Sequence, residues 1–312
     1  MVTPKTLADA IIYFADPDNA LEYLAAKRWP NGVVCPHCEA PEPMFLKTRR
    51  IWKCRKCRKQ FSVKVGTIFN ESAIGLDKWL TAIWLVSNCR NGISSYEIAR
   101  DLGVTQKTAW FMLHRIREAM QDKTATKLAG EVEVDESFIG GKSRNMHRAK
   151  RERVITGTGG KDKTIALGMV ERGGKVRTFH VSNRRRHSLH TQIRQNVQVG
   201  SALFSDELKS YDGLAADYQH AVINHAVEYA RGNVHTNTME NFWSLVKRQL
   251  HGTYISVEPF HLFRYLDEQS FRYNGRRLTD AERFAFVCGQ VAGRRLTWNK
   301  LTGKEREALM GR

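Results

Sequence analysis

Four of the six cysteines in this 312-residue chain form two closely spaced pairs. Cys35 and Cys38 make the first pair, Cys54 and Cys57 make the second, and fifteen residues separate them. Each pair can place two thiolates on a tight turn, and four thiolates complete the tetrahedron of a closed Zn²⁺ site. Two disulfides or four buried thiols are the alternatives, and an intracellular setting disfavours disulfides. The spacing therefore predicts a structural zinc ribbon.

Three acidic residues occupy positions that suit phosphodiester chemistry. Asp135 lies in an alternating, strand-like stretch (131–141), where burying a carboxylate is costly unless a cation meets it. Asp206 follows a short predicted strand, and Glu240 lies in the first turns of a helix predicted to begin near Asn237. Such carboxylates can bind two Mg²⁺ (or Mn²⁺) ions about 3.5–4 Å apart, and these ions act on phosphodiesters. The alternative is that Asp206 caps a helix and Glu240 is a surface acid.

The elements around these acids alternate between strand and helix. The sequence predicts a strand with Asp135, a hairpin, a helix, a strand ending at Asp206, a helical stretch, another strand and the helix of Glu240. This order can bring two acids on adjacent strands and a third on a helix together in an α/β layer. Residues 142–163 carry eight basic and two acidic residues, and they are predicted to form a mobile basic loop.

The sequence of residues 94–117 predicts a helix-turn-helix. Ser94 and Glu97 fit a capping box, Gly103 suits a turn with positive φ, and Thr105 can cap the second helix. One side of that helix is apolar, which leaves the other side for a DNA major groove, although any helical hairpin could mimic the pattern. The side chains predicted to face DNA are Gln106, Lys107, Trp110, His114 and Arg117.

The formal net charge of the chain is +18, which favours nucleic acid as a partner. The alternative is that the charge serves only solubility, and it is disfavoured because the basic residues are clustered. Between Lys47 and Lys59, eight of thirteen residues are basic and none is acidic. This run overlaps the second cysteine pair, so a bound metal would fix its shape; a solvated face is the alternative. The predicted phosphate contacts are Lys47, Arg49, Arg50, Lys53, Arg55, Lys56, Arg58 and Lys59.

No apolar stretch approaches the ~18 residues of a membrane span, and acids interrupt the N-terminal segment, so neither a membrane anchor nor a secretory signal is expected. We expect a soluble cytoplasmic protein that associates with the nucleoid through DNA. The predicted domains are an N-terminal helix plus zinc ribbon (1–64), a helix-turn-helix region (65–125), a catalytic domain (126–278) and a C-terminal helical tail (279–312).

Several long segments of the chain resemble the bacterial insertion-sequence transposases that combine an N-terminal zinc ribbon with an RNase H-like DDE catalytic domain. The resemblance covers about residues 20–275. It rests on the segments RWPNG (28–32), VEVDESFIGGK (132–142), FSDELKSY (204–211), NHAVEYARGNVHTNTMENFWSLVKR (224–248) and GTYISVEPFHLFRYLDEQSFRYN (252–274). It implies an α/β fold with an RNase H-like mixed sheet and flanking helices, preceded by the ribbon and an all-α helix-turn-helix region.

The resemblance also implies an activity and a catalytic set. Asp135, Asp206 and Glu240 would be the triad, and Lys247 would match the basic residue two helical turns after the glutamate. The implied reaction is metal-dependent cleavage at the ends of an insertion sequence, followed by strand transfer. The ribbon and helix-turn-helix would bind double-stranded DNA at terminal inverted repeats, and a homodimer or higher oligomer would act on repeats and target DNA. The alternatives are a non-enzymatic DNA-binding regulator and an RNase H-like nuclease that cuts without joining.

Overall fold

The computed structural model describes residues 4–141, 146–155, 162–223 and 235–305. The chain divides into two compact units, Met1–Gln121 with Arg277–Arg312 and Asp122–Arg276. In chain order the helices are α1 (Leu7–Ala15), α2 (Pro17–Arg28), α3 (Leu76–Asn88), α4 (Ser95–Leu102), α5 (Gln106–Met120), α6 (Arg148–Val154), α7 (Arg186–Asn196), α8 (Asn237–Gln249), α9 (Leu262–Asn274), α10 (Asp280–Gly289) and α11 (Trp298–Thr302). The strands are β1 (Met44–Leu46), β2 (Ile51–Lys53), β3 (Gln60–Phe61), β4 (Glu131–Ile139), β5 (Thr164–Glu171), β6 (Val176–Val181), β7 (Ala202–Asp206) and β8 (Gln219–Ile223). None of the helices in these ranges is both long and apolar enough to cross a membrane.

The first unit combines a small ribbon with a helical core. Strands β1, β2 and β3 form an antiparallel sheet in which Trp52 pairs with Phe61. An aromatic cluster holds the helices together, with the Phe284 ring of α10 5.7 Å from Phe14 and 4.9 Å from Trp84. Aromatic pairs at such distances add to the energy of apolar burial. Helix α10, which the sequence marks only as part of a helical tail, therefore completes the core of the N-terminal unit.

The helix-turn-helix geometry predicted from the sequence is confirmed in α4 and α5. The Ser94 hydroxyl accepts a hydrogen bond from the Glu97 amide at 3.1 Å, and the Glu97 carboxylate accepts one from the Ser94 amide at 2.8 Å. Gly103 ends α4 with φ +59°, in the left-handed region that favours glycine. Thr105 caps α5 by accepting a hydrogen bond from the Thr108 amide at 3.2 Å.

The second unit is built on a five-stranded mixed sheet with the order β6-β5-β4-β7-β8. Strand β5 is antiparallel to both β4 and β6, whereas β4, β7 and β8 are mutually parallel. One face of the sheet packs on α7, with Val132 and Val134 of β4 in that cluster. The other face packs on α8 and α9. This arrangement is the RNase H-like α/β fold that the resemblance implied.

The prediction of a mobile basic loop at residues 142–163 is wrong in part. Residues Arg148–Val154 form helix α6, in which Arg148 and Glu152 make an i,i+4 ion pair at 2.8 Å. Residues with good helix propensity and a favourable charge pair account for this helix. Residues 142–145 and 156–161 of the predicted loop lie outside the described residues, and so does the whole segment 224–234 before α8.

Candidate active site

An acidic cluster lies where the parallel strands β4 and β7 end. Val132 pairs with Leu203 and Glu133 pairs with Phe204. Extending this register by two residues places Asp135 beside Asp206 on the same face of the sheet, because side chains alternate along a strand. Carboxylate oxygens of Asp135, Glu136 and Asp206 lie within 4.8 Å of one another.

The surroundings of the cluster make three negative charges costly. Burial raises the pKa of Glu136 to about 7, and the charges of Asp206 and Asp135 contribute to this rise. Tyr211 opposes this rise through its hydroxyl group, and the Oε1 atom of Glu136 is buried. Asp135 Oδ1 accepts a hydrogen bond from the Glu136 amide at 2.8 Å, and Asp206 Oδ1 accepts one from the Leu208 amide at 3.1 Å. The cluster therefore has the donor set of a divalent-cation site.

Glu136 is the member of this cluster that the sequence prediction missed. The alternation along β4 assigns it to the side of Val132 and Val134, away from Asp135. Its only signal in the sequence is its position directly after Asp135, near the end of the strand.

Glu240 does not join the cluster in this structure. It lies in the first turn of α8, is exposed, and its Oε1 accepts a hydrogen bond from the Thr236 hydroxyl at 3.5 Å. Lys247, two turns further along α8, is also exposed. Two of the three predicted triad members therefore meet, and the third lies on the helix that packs over the same strands.

A glycine lets that helix approach the sheet closely. Gly168 of β5 pairs with Asp135 of β4. A Cβ atom at Gly168 would lie 2.7 Å from Trp243 Cζ2 and closer still to the terminal methyl of Met239. Both side chains are buried on α8. Because Gly168 has no side chain, α8 can lie close to β5, the strand that pairs with Asp135.

The four cysteines converge as a zinc ribbon requires. Their sulfur atoms lie within 4.8 Å of one another, with Cys35 Sγ 3.7 Å from Cys57 Sγ and Cys38 Sγ 3.6 Å from Cys54 Sγ. Tetrahedral Zn–S bonds of about 2.3 Å imply sulfur separations of about 3.8 Å. The Cys57 amide donates a hydrogen bond to Cys54 Sγ at 3.4 Å, which lowers the pKa of Cys54 and favours its thiolate. The donor set and its dimensions fit a structural Zn²⁺ ion.

All eight basic residues predicted as phosphate contacts of the ribbon are exposed. Arg50 has an acidic partner, because its guanidinium makes two hydrogen bonds with the Asp18 carboxylate, at 2.5 and 3.1 Å. This pairing lowers the pKa of Asp18. The Asp18 carboxylate therefore offsets part of the attraction between Arg50 and a phosphate.

The predicted DNA-facing side of α5 needs correction. His114 and Arg117 are buried, so they lie on no DNA-facing surface of the described structure. The Trp110 ring lies edge-on to Trp298 of α11 at 5.9 Å, and the Lys107 ammonium lies 4.7 Å from the same ring. The 3.6-residue period identified the side opposite the apolar stripe, but α11 covers part of it. Gln106 and Lys107, at the start of α5, keep partial or full exposure.

Comparison with known proteins identifies both parts of the chain. The family model of the ISXO2-like transposase domain matches residues 127–274, and that of the transposase zinc-ribbon domain matches residues 16–60. The chain is 28% identical over 250 residues to a Halobacterium salinarum protein named "Uncharacterized protein in transposable element ISH50", covering 76% of this chain and 84% of that one. It is 31% identical over 105 residues to a Haemophilus influenzae "Uncharacterized transposase-like protein", covering 33% of this chain and 85% of that one. The chain therefore belongs to the insertion-sequence transposases in which a zinc ribbon precedes an ISXO2-like transposase domain.

Proposed function

We propose that this transposase cleaves the ends of its insertion sequence and joins them to target DNA in a metal-dependent reaction at Asp135, Asp206 and Glu240. The observation that carries the proposal is the meeting of Asp135 and Asp206 on adjacent parallel strands, under the helix that bears Glu240. The exposed position of Glu240 allows its carboxylate to turn toward bound metal and DNA. Glu136 adds a third carboxylate to the two aspartates.

Each residue has a distinct task in this proposal. Asp135 and Asp206 would hold the divalent cations, Mg²⁺ or Mn²⁺, and Glu240 would complete the binding site of the second cation. Bound cations supply the acidity that activates a water or a 3′-hydroxyl group and the charge that stabilises the leaving oxygen. Lys247 faces solvent on α8 and neutralises a phosphate near the site. No covalent link between protein and DNA is needed, because the freed 3′-hydroxyl is itself the nucleophile of the joining step.

The first unit supplies the contacts that recognise the ends of the element. The exposed basic residues of the ribbon bind phosphates of double-stranded DNA, and the start of α5, with Gln106 and Lys107, reads the terminal inverted repeats. Both ends of the element must be processed together, so a homodimer or higher oligomer assembles on DNA. Light scattering of the protein with and without an inverted-repeat duplex tests this assembly, and a monomer in both samples would contradict it.

The catalytic proposal is tested by cleavage of a supercoiled plasmid that carries the cognate ends, with Mg²⁺ or Mn²⁺. Asp135→Ala, Asp206→Ala and Glu240→Gln should each lower cleavage at least about a hundredfold while DNA binding stays unchanged. Glu207→Ala is the matched control, because Glu207 is exposed and adjacent to Asp206. Wild-type cleavage by any one of the three variants would refute the triad.

Product analysis separates the two competing functions. A non-enzymatic regulator binds the ends regardless of divalent metal and breaks no strand. A nuclease without joining activity gives cleaved ends, but no strand-transfer product when a target plasmid is added. Detection of joined product in wild type, and its loss in Asp135→Ala, supports the transposition reaction over both.

A further inference from the structure

A buried cluster of hydrogen bonds joins β4 to the start of α8, two residues before Asp135. Glu133 of β4 is 0% exposed. Its Oε1 accepts hydrogen bonds from Arg172 Nε at 2.7 Å and from the Thr238 hydroxyl at 2.9 Å. Its Oε2 accepts a hydrogen bond from the Met239 amide at 2.9 Å. A buried carboxylate with this many donors is held in a single position.

This carboxylate takes the place of a local helix cap. Thr236, the residue before α8, makes no side-chain hydrogen bond to the helix amides. The Met239 amide is the third of the helix, which an N-cap side chain normally satisfies. Glu133 satisfies it from a neighbouring strand, and its negative charge also suits the positive end of the helix dipole.

Arg172 extends the connection to the segment that leads into the helix. Its Nη2 donates a hydrogen bond to the His235 carbonyl at 2.9 Å, and its Nη1 donates to Glu131 at 3.2 Å. The guanidinium also lies 4.3 Å from the ring of Phe204, which pairs with Glu133 in the sheet. Arg172 therefore ties β4, β7 and the entry to α8 together.

We propose that Glu133 and Arg172 are positioning residues that fix where α8 holds Glu240 relative to Asp135. The inference rests on the proposed function, in which Glu240 must reach the metal site. Glu240 directly follows the capped residue Met239, so a shift of the helix end moves it by a similar amount. A misplacement of about 1 Å can cost about a hundredfold in rate.

The test compares Glu133→Gln with Glu131→Gln in the full-length protein. Both variants remove a charge that contacts Arg172, and Glu133 in addition accepts hydrogen bonds from α8. Glu133→Gln should speed amide hydrogen exchange in residues 237–249 at least about tenfold and lower kcat of plasmid cleavage about tenfold to a hundredfold. The Kd for an inverted-repeat duplex should stay within twofold. Glu131→Gln should match wild type in the exchange of α8.

A titration with Mn²⁺ gives a readout that does not depend on cleavage. If Glu133 acts through Glu240, then Glu133→Gln and Glu240→Gln should weaken the same Mn²⁺-binding step, and Glu131→Gln should weaken none. Glu133→Gln could instead show wild-type hydrogen exchange, Mn²⁺ binding and kcat while Glu240→Gln is inactive. That result would overturn the positioning role and leave the proposed function standing. Wild-type cleavage by Glu240→Gln would refute the proposed function instead.

A milder variant serves if Glu133→Gln does not fold. Thr238→Val removes one donor to Glu133 while the other donors remain, and the side chain keeps its size. It should raise exchange at the start of α8 and lower kcat about threefold to tenfold, with the Kd for DNA unchanged. Unchanged exchange and kcat in this variant would also overturn the positioning role.

Discussion

The substitution Gly168→Ala should move α8 away from the sheet. Gly168 pairs with Asp135, and an added methyl group would lie 2.7 Å from Trp243 Cζ2 and closer still to the terminal methyl of Met239. The Met239 methyl can swing aside, whereas the Trp243 ring is rigid and buried. The clash with the ring is therefore relieved by movement of the helix.

The size of the effect follows from these contacts. An ordinary contact is at least 3.4 Å, so the ring and its helix must shift by about 0.7 Å. Overpacking of this kind costs about 1–3 kcal/mol, and the lower chain entropy of alanine in the unfolded state offsets about 0.4–1 kcal/mol. The second unit should lose up to about 2.5 kcal/mol of stability, with a central value of about 1.3 kcal/mol. Because Glu240 moves with α8, cleavage should fall about tenfold to a hundredfold, more than the lost stability alone explains.

Two measurements on the full-length protein check this prediction. Amide hydrogen exchange in β5 and β4 reports the stability of the second unit, and plasmid cleavage with Mg²⁺ reports the geometry of the site. Gly252→Ala is the matched control, because a Cβ atom there meets nothing within 4 Å. If Gly168→Ala keeps wild-type protection in β5 and cleaves within twofold of wild type, the close approach of α8 does not set the site and the reasoning is wrong.

Three further predictions concern the first unit. Cys54→Ser should lose the ~1 Zn²⁺ per chain expected in wild type, and its ribbon should unfold. Metal analysis measures the zinc and tryptophan fluorescence reports the unfolding. Retained zinc would contradict the four-cysteine site. Ser94→Ala should cost about 1 kcal/mol by removing the cap of α4, seen as faster hydrogen exchange there, whereas unchanged protection would argue against the cap. Lys56→Ala should reduce the magnitude of the slope of log K for DNA binding against log salt concentration by about 0.9. Arg50→Ala should reduce it less, because Arg50 is bound to Asp18. Equal slopes in the two variants would contradict that effect of the pairing.

Short-range chemistry made much of this structure predictable from the sequence. The two CxxC pairs specify a tetrahedral site by spacing alone. The capping box at Ser94 and the glycine at position 103 specify the ends of helices through contacts within a few residues. The alternation along β4 correctly assigned Val132 and Val134 to one face and Asp135 to the other, because the side-chain period of a strand is two.

Contacts between distant segments account for what the sequence pattern missed. The buried state of His114 and the ring contact between Trp110 and Trp298 depend on how residues far apart in the chain pack together. The helical period reports which side of α5 is apolar, but it carries no information about a second helix covering the other side. The cap that Glu133 gives to α8 is equally non-local, because 105 positions separate Glu133 from Thr238.

The position of Glu136 shows where the strand pattern itself stops applying. Strand β7 pairs with β4 as far as Glu133 and ends two residues later at Asp206, so β4 continues past its parallel neighbour with β5 beside it. Glu136 lies beyond the last residue of β7, Asp206, and its carboxylate reaches the two aspartates. The two-residue period fixes the face on which the Cβ atom lies, but the carboxylate at the end of a glutamate side chain can still reach past the end of the neighbouring strand. An acid that directly follows the first aspartate of such a site should therefore be counted with the site whenever the neighbouring strand ends before it.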